Sequence, residues 1–292
     1  MTKIQALLHS TRPKTLPASL SPVLIGSSIA YYYGKFDLFL FIVVSLCAIL
    51  IQISTNYINE IYDYKKGADS EQRQGPQRSV AAGLISVNLM TKISSAIIII
   101  TFLLGLILVQ QAGLIILIIG ILSLLFAWAY TGGPYPLAYN GLAEPMVFIF
   151  FGLIAVNGTV FVFIHSITWI SFIASLMPAF LSTTLLMVNN IRDVATDLKV
   201  KKYTLAVKLG QVRSRRLYFI LHFINLFVPL VLTIYYSNLF FLLPLLSIPL
   251  NIQAIRLIYT KEGKELNKVL ALNGVLIMIN GLLTSISFVI SK

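Results

Sequence analysis

Nine apolar runs, each near the ~20 residues that a helix needs to cross a bilayer, decide what this chain can fold into. They cover approximately 16–33, 38–58, 93–110, 112–129, 145–163, 169–189, 217–235, 239–258 and 269–290. The residue-by-residue alternation of a membrane β-barrel is missing, and helices satisfy their own backbone polar groups in lipid. The expected fold is an all-α polytopic membrane protein: nine transmembrane helices forming a single domain over residues 1–292. Composition agrees, with 58% hydrophobic and 11% charged residues, against roughly 25% charged in soluble domains. The first run carries Pro17 and Pro22 and no clear small-residue cleavage site, so it reads as a span and not as a secretory signal.

The net charge of +12 does not point to nucleic acid. With the N-terminus inside, only Lys35 and Lys292 of the 22 Lys and Arg residues fall outside, which predicts an N-in, C-out topology by the positive-inside rule. The basicity is thus topological, plus whatever an anionic substrate requires. Residues 1–15 read as an interfacial segment with Ile4, Leu7 and Leu8 on lipid and Lys3 in water. The inner connections, 59–92, 130–144, 190–216 and 259–268, are long, and of the ten acidic residues only Asp37 lies outside. Long connections in a compact bundle tend to carry function, which places the chemistry on the cytoplasmic side of a cell membrane. Cys47 is the single cysteine, so there is no disulfide framework and no thiolate metal site. His9, His165 and His222 are scattered, and no P-loop, Gly-x-Gly-x-x-Gly or Gly-x-Ser-x-Gly motif is present.

Two polar stretches follow apolar spans at this inner side. In the first, Asn56, Asn59 and Asp63 share one helix face, and Asp69 comes round after Gly67. In the second, Asn189, Asp193 and Asp197 share a face. Asn59-Glu60-Ile61-Tyr62-Asp63 aligns with Asn189-Asn190-Ile191-Arg192-Asp193, which predicts two parallel halves, spans one to four and five to eight, with span nine appended. Such repeats place a site at their interface. Polar groups at a membrane boundary are expensive and call for partners. Two carboxylates about 6 Å apart repel by ~3 kcal/mol at an effective dielectric near 20, so four aspartates at one mouth need cations. All-oxygen ligands select Mg²⁺ or Ca²⁺, and Mg²⁺ is the usual ion where phosphate completes the shell. Two Mg²⁺ would cancel four carboxylates, leaving a diphosphate ester to be met by Arg78, Arg192 and Lys14, of which Arg192 is the best placed. For Arg12-Pro13-Lys14, topogenic anchoring and phosphate contact both stand as readings. The loop Tyr130–Glu144, with its Gly-Gly-Pro turn and tyrosines, reads either as an interfacial aromatic belt or as part of the site; Glu144, just before Pro145, favours the site.

Asn59-Glu60-x-x-Asp63 with Asp69, paired with Asn189-Asn190-x-Arg192-Asp193-x-x-x-Asp197, resembles the aspartate-rich motifs of the UbiA prenyltransferase superfamily. Arg12-Pro-Lys-Thr-Leu-Pro, Tyr62-Asp-Tyr-Lys-Lys-Gly, Tyr130-Thr-Gly-Gly-Pro-Tyr-Pro-Leu and Lys202-Tyr-Thr-Leu-Ala-Val-Lys-Leu-Gly are similar to the bacterial 1,4-dihydroxy-2-naphthoate polyprenyltransferases of menaquinone synthesis. Glu60 departs from the pattern, since Asp is commoner there. The resemblance implies Mg²⁺-dependent transfer of a polyprenyl group from polyprenyl diphosphate to dihydroxynaphthoate with loss of CO₂, giving demethylmenaquinol. It implies two Mg²⁺ ions held by Asn59, Asp63, Asp69, Asp193 and Asp197, and diphosphate contacts from Arg78 and Arg192. Tyr57, Tyr62 or Tyr130 would stabilise an allylic cation through the ring face; Lys14, Asn189 and Glu144 are further substrate-binding candidates. Two rivals remain: a family member with another acceptor, such as 4-hydroxybenzoate, and a membrane transporter, against which the clustering of acids at span ends speaks.

Overall fold

The structure is a computed structural model describing residues 2–69 and 74–292; Glu71 and Arg73, counted above among the inner charges, lie outside the described residues. Among the described residues there is no strand. A short α1 (Lys3–Ser10) precedes α2 (Pro17–Tyr32) and α3 (Leu38–Lys65). Then come α4 (Val87–Ala112), α5 (Leu114–Ala129), α6 (Ala143–Ile164) and α7 (Trp169–Lys199), followed by α8 (Leu205–Tyr236), α9 (Leu239–Thr260) and α10 (Gly263–Ile290). Polar side chains start several of them: Asp37 accepts from the Leu40 amide at 2.8 Å, Ser86 caps α4, and Thr168 and Ser171 form a reciprocal box at the start of α7.

Among the described residues, seven helices are long and apolar enough to cross a membrane: α3, α4 and α6 to α10. Helix α5 is a shorter apolar helix, and α2 matches its 16 residues. Ile99, Leu103, Ile115, Ile118, Leu122 and Leu125 on α4 and α5 point outward into no protein partner's shade. Backbone bonds closed within helices and an apolar exterior are the solution that a lipid solvent demands, and the chain is a multi-pass membrane protein. Helix α1 is amphipathic; Ile4 and Leu8 are exposed while Ala6 is fully buried. It is tied down by the Tyr57 hydroxyl, which donates to the Leu7 carbonyl at 3.1 Å.

Helix α7 runs through the interior and packs against α2, α6, α8 and α10. Helix α6 reaches it through a π-helical stretch, Ile149–Ile154, a distortion that changes which side chains face the core. Gly152 in that stretch sits against Ala179 so closely that an added Cβ would overlap it; small residues let helix backbones approach where lipid supplies no hydrophobic drive. Farther along, α8 to α10 share buried polar bonds: His222 Nδ1 with Asn251 Oδ1 at 2.8 Å, and Asn273 Nδ2 donating to Tyr218 Oη at 2.8 Å. These bonds tie the three helices together in the interior.

Candidate active site

Apolar periodicity alone would end the second and sixth spans near 58 and 189, yet α3 and α7 continue as helix to Lys65 and Lys199. Each then stops in the same way. In α3 the Ala68 amide donates to the Asp63 carbonyl at 2.9 Å and the Gly67 amide to Tyr64 at 3.0 Å, with Gly67 at φ 73°. In α7 the Lys202 amide donates to the Asp197 carbonyl at 2.9 Å and the Lys201 amide to Leu198 at 3.2 Å, with Lys201 at φ 56°. Both are Schellman caps, and they place Asp63 and Asp197 at equivalent positions. The cap register therefore pairs Asp63 with Asp197, whereas the Asn-Asp sequence match pairs it with Asp193.

The two ends meet. Lys202 Nζ lies 3.8 Å from Asp63 Oδ1 and 3.9 Å from Asp197 Oδ1. Asp63 is 2% exposed and is the hub of the site. Its Oδ1 accepts from the Tyr139 hydroxyl at 2.8 Å, and its Oδ2 from Arg78 Nη2 at 3.2 Å. Arg78 Nε lies 3.5 Å from Asp69 Oδ1, so one guanidinium joins both acids of the first stretch. Arg78 Nη1 is buried and has no hydrogen-bond partner among the described residues. Glu60 does not face this cluster; its Oε1 accepts from the Val80 amide at 2.8 Å and so anchors the segment that carries Arg78.

The second stretch is organised differently. Arg192 donates through Nε and Nη2 to the two oxygens of Asp193 at 2.8 and 2.6 Å, and through Nη1 to Asn267 at 2.7 Å. Asn190 Nδ2 donates to Glu144 Oε1 at 2.8 Å, and Glu144 Oε2 is buried with no partner among the described residues. Asn59 Oδ1 accepts from Thr131 Oγ1 at 2.8 Å. Lys14 is exposed. Tyr57 is committed to α1, and the Tyr62 hydroxyl accepts from Trp128 Nε1 at 3.1 Å.

At Asn59, one turn before Asp63, lies a pocket of about 80 Å³ with a mixed lining: polar Arg12, Asn56, Asn59 and Asn189, and apolar Val147 and Leu185 among others. It shares Gln52, Thr55, Phe126 and Phe151 with a larger apolar cavity of about 190 Å³ between α2, α3, α4, α5 and α6. Sequence reasoning missed Tyr139, Lys66 and Lys202. Lys66 Nζ donates to the Thr131 carbonyl at 2.9 Å and lies 4.2 Å from the centre of the Tyr139 ring; Lys202 lies 5.2 Å from the same ring. Burial lowers the Lys66 ammonium and the Lys202 charge adds to this, against the pull of Asp63. Burial also pushes the Tyr139 and Tyr130 hydroxyls up, with Asp63 adding to both and Glu144 to Tyr130. Tyr139 is held as a donor to Asp63.

Among the described residues, no three His, Cys, Asp or Glu groups gather around one point. The donors near Lys202 are Asp63 and Asp197, with Asn59 one turn before Asp63. An all-oxygen pair of carboxylates fits Mg²⁺, which takes one or two carboxylates and fills its octahedron from phosphate and water. It does not fit a four-ligand zinc site.

A bundle of apolar helices carries two acidic helix ends facing each other, a buried guanidinium beside them and an apolar cavity behind: a multi-pass membrane protein with a charged interior site. The chain belongs to the UbiA prenyltransferase family, whose model matches residues 19–278, and it is a prenyltransferase. It is 34% identical over 222 residues to the 1,4-dihydroxy-2-naphthoate octaprenyltransferase of Escherichia coli K12, covering 74% of this chain and 72% of that one. It is 28% identical over 278 residues to UbiA prenyltransferase domain-containing protein 1 of Dictyostelium discoideum, covering 92% and 83%. In fold it is similar to the UbiA homologue of Archaeoglobus fulgidus bound to DMAPP and Mg²⁺ (TM-score 0.66, 16% identity, 97% and 98% covered). The apo UbiA homologue of Aeropyrum pernix K1 is also similar (TM-score 0.67, 16% identity, 92% and 96% covered).

Proposed function

We propose that the protein transfers a polyprenyl group from its diphosphate to 1,4-dihydroxy-2-naphthoate with loss of CO₂, in an Mg²⁺-dependent reaction. One observation carries this reading: Asp63 and Asp197, which end α3 and α7 in equivalent caps, meet at one cation, and Asn59, one turn before Asp63, lines a pocket that shares walls with an apolar cavity. The names of the bacterial relatives support the naphthoate acceptor. Asp63, Asp197 and Asn59 would hold Mg²⁺, and Asp69 and Asp193 are the further carboxylates for a second ion. When bound, the metal offsets the charge that gathers on the leaving diphosphate.

The chain's own residues do the rest. Arg78, anchored by Asp63 and Asp69, offers Nη1 to the diphosphate; Arg192 lends positive charge beside Asp193. The prenyl C–O bond breaks with its electron pair going to diphosphate, and the allylic cation lies against aromatic rings, of which Tyr130 lines the smaller pocket. A ring carbon of the acceptor attacks, and the net exchange of CO₂ for the prenyl group leaves no proton to be removed. The apolar cavity takes the near end of the tail and keeps water from the cation. Helices α2 and α5 would complete nine crossings, in two parallel halves with the site on the cytoplasmic side.

The test is an assay of purified protein with a panel of acceptors and prenyl diphosphates. Mg²⁺-dependent release of diphosphate, with CO₂ evolved in step with prenylated naphthol, is expected. Prenylation of 4-hydroxybenzoate without CO₂ would assign another acceptor; no diphosphate release with any pair would overturn the proposed reaction. Tail placement has its own prediction. Gly120 lines the apolar cavity and has open space where a side chain would go. Gly120→Phe should cut turnover of long-chain prenyl diphosphates about tenfold relative to geranyl diphosphate, because a benzyl group fills space the tail needs. An unchanged length preference would remove the tail from this cavity.

A further inference from the structure

The side chain of Lys202 is delivered to the acidic pair by backbone that is held independently of it. Its amide closes the cap of α7 on the Asp197 carbonyl at 2.9 Å, and the next amide, of Tyr203, donates to the Tyr139 carbonyl at 3.0 Å. The turn that makes this possible puts Lys201, not glycine, at φ 56°, a conformation that disfavours a residue with a Cβ. In α3 the same cap position is Gly67, and the residue corresponding to Lys202 is Ala68. At this cap position the second half sends an ammonium back between the two helix ends, whereas the first half has alanine.

Charge shows what that ammonium does there. Asp63, Asp69 and Asp197 are faced by Arg78, Lys66 and Lys202. Among the described residues, these carboxylates are thus already met by cations without any metal. Divalent ions added to this set raise its charge far above neutral unless an anion arrives with them or an ammonium leaves the carboxylates. Like charges only a few ångströms apart repel by several kcal/mol at moderate dielectric. A lysine is suited to leaving, since its four-carbon stem is flexible and its head is a point charge with no fixed fork.

We infer that Lys202 is a positioning residue that competes with divalent cations for Asp63 and Asp197 and transfers its ion pair to the diphosphate of the bound substrate. Metal alone is thereby bound weakly, and metal with diphosphate tightly. The inference rests on the prenyl-transfer reading above and deepens it: Lys202 couples the two ligands, and the coupling is reciprocal by linkage.

The experiment uses the full-length protein in nanodiscs. Thermal unfolding is followed against Mg²⁺ alone, and then against geranyl diphosphate at saturating Mg²⁺. In Lys202→Met the concentration of Mg²⁺ needed without diphosphate should fall about tenfold, and the geranyl diphosphate needed with Mg²⁺ should rise about tenfold. Lys202→Arg keeps the charge and should keep both values within about threefold of wild type. Lys202→Gln supplies the same neutral test if methionine at this position prevents folding. A purely structural lysine would move both titrations in the same direction or neither. Mg²⁺ affinity that is unchanged or weaker in the neutral variants, in a protein that still releases diphosphate as wild type, overturns the assignment of Lys202 alone. Wild-type protein that neither responds to Mg²⁺ nor releases diphosphate overturns the prenyl-transfer reading, and this inference with it.

Discussion

Asp63→Asn is expected to lower diphosphate release by about 10³-fold or more, the scale lost when a group that stabilises developing charge is removed, while the protein stays folded. The substitution is close to isosteric, and the carboxamide oxygen can still accept the Tyr139 hydroxyl that now bonds Asp63 Oδ1 at 2.8 Å. What disappears is the charge that meets Arg78 and Lys202 and that, on the proposed mechanism, would hold Mg²⁺. Asp63 is the carboxylate that pairs with both Arg78 and Lys202. Turnover should be measured with size-exclusion profile and helical circular dichroism alongside, so that loss of chemistry is separated from loss of fold. Mg²⁺ titration should show that raising the metal concentration does not restore the rate. Activity within tenfold of wild type would remove Asp63 from the centre of the mechanism and with it the metal assignment built on the two helix ends.

The membrane bundle and both acidic stretches are legible in the sequence because they depend on local signals. Apolar runs of bilayer length mark helices whatever their neighbours, and carboxylates next to such runs are too costly in lipid to be incidental. The interior helix ends were less visible. Hydropathy marks the end of the second span near 58, but α3 continues to Lys65 since Asn59, Glu60 and Asp63 are buried by protein. Their cover comes from the Val80 amide, Thr131, Tyr139 and Arg78, all brought in from other segments by tertiary contacts. Glu60 illustrates this: by spacing it sits among the acids, and only the Val80 contact shows that it braces a loop.

The cations are harder still. Lys202 stands in a basic segment with Lys199, Lys201 and Lys208, and positive-inside topology explains all four equally well. What distinguishes it is a left-handed residue at Lys201, and nothing in a lysine's identity foretells that. At the N-terminus the same kind of turn occurs at Arg12 (φ 52°), and Arg12 lines the smaller pocket while Lys14 is exposed. Tyr139 was within a loop already suspect for its tyrosines; its hydroxyl became a candidate only when the loop was seen folded over Asp63. Arg192 looked the best-placed cation because it precedes Asp193. In space, that adjacency is what occupies it: three of its nitrogens are bonded to Asp193 and Asn267.

Arg78 is the guanidinium for which the structure supplies both anchorage and a spare donor, and this contrast gives a second large effect. Arg78→Lys should raise the KM for prenyl diphosphate about 30-fold or more, with the KM for the aromatic acceptor within about threefold of wild type. A single ammonium cannot bridge Asp63 and Asp69 and also present a planar fork to phosphate. Arg78→Leu should be worse in a different way. It leaves Asp63 and Asp69 buried without the cation that joins them, and removing one partner of a buried ion pair costs about 3–5 kcal/mol. The leucine variant is therefore expected to unfold at lower temperature, with Mg²⁺ restoring part of the loss because it supplies the missing positive charge. The lysine variant should show little change in stability and most of the loss in substrate binding. Steady-state kinetics with each substrate varied in turn, and thermal unfolding with and without Mg²⁺, separate the two roles. Equal changes in both KM values for Arg78→Lys would mean that Arg78 shapes the whole site and does not grip the diphosphate. A leucine variant as stable as wild type would mean that the pair at Asp63 is dispensable to the fold and is kept for the reaction alone.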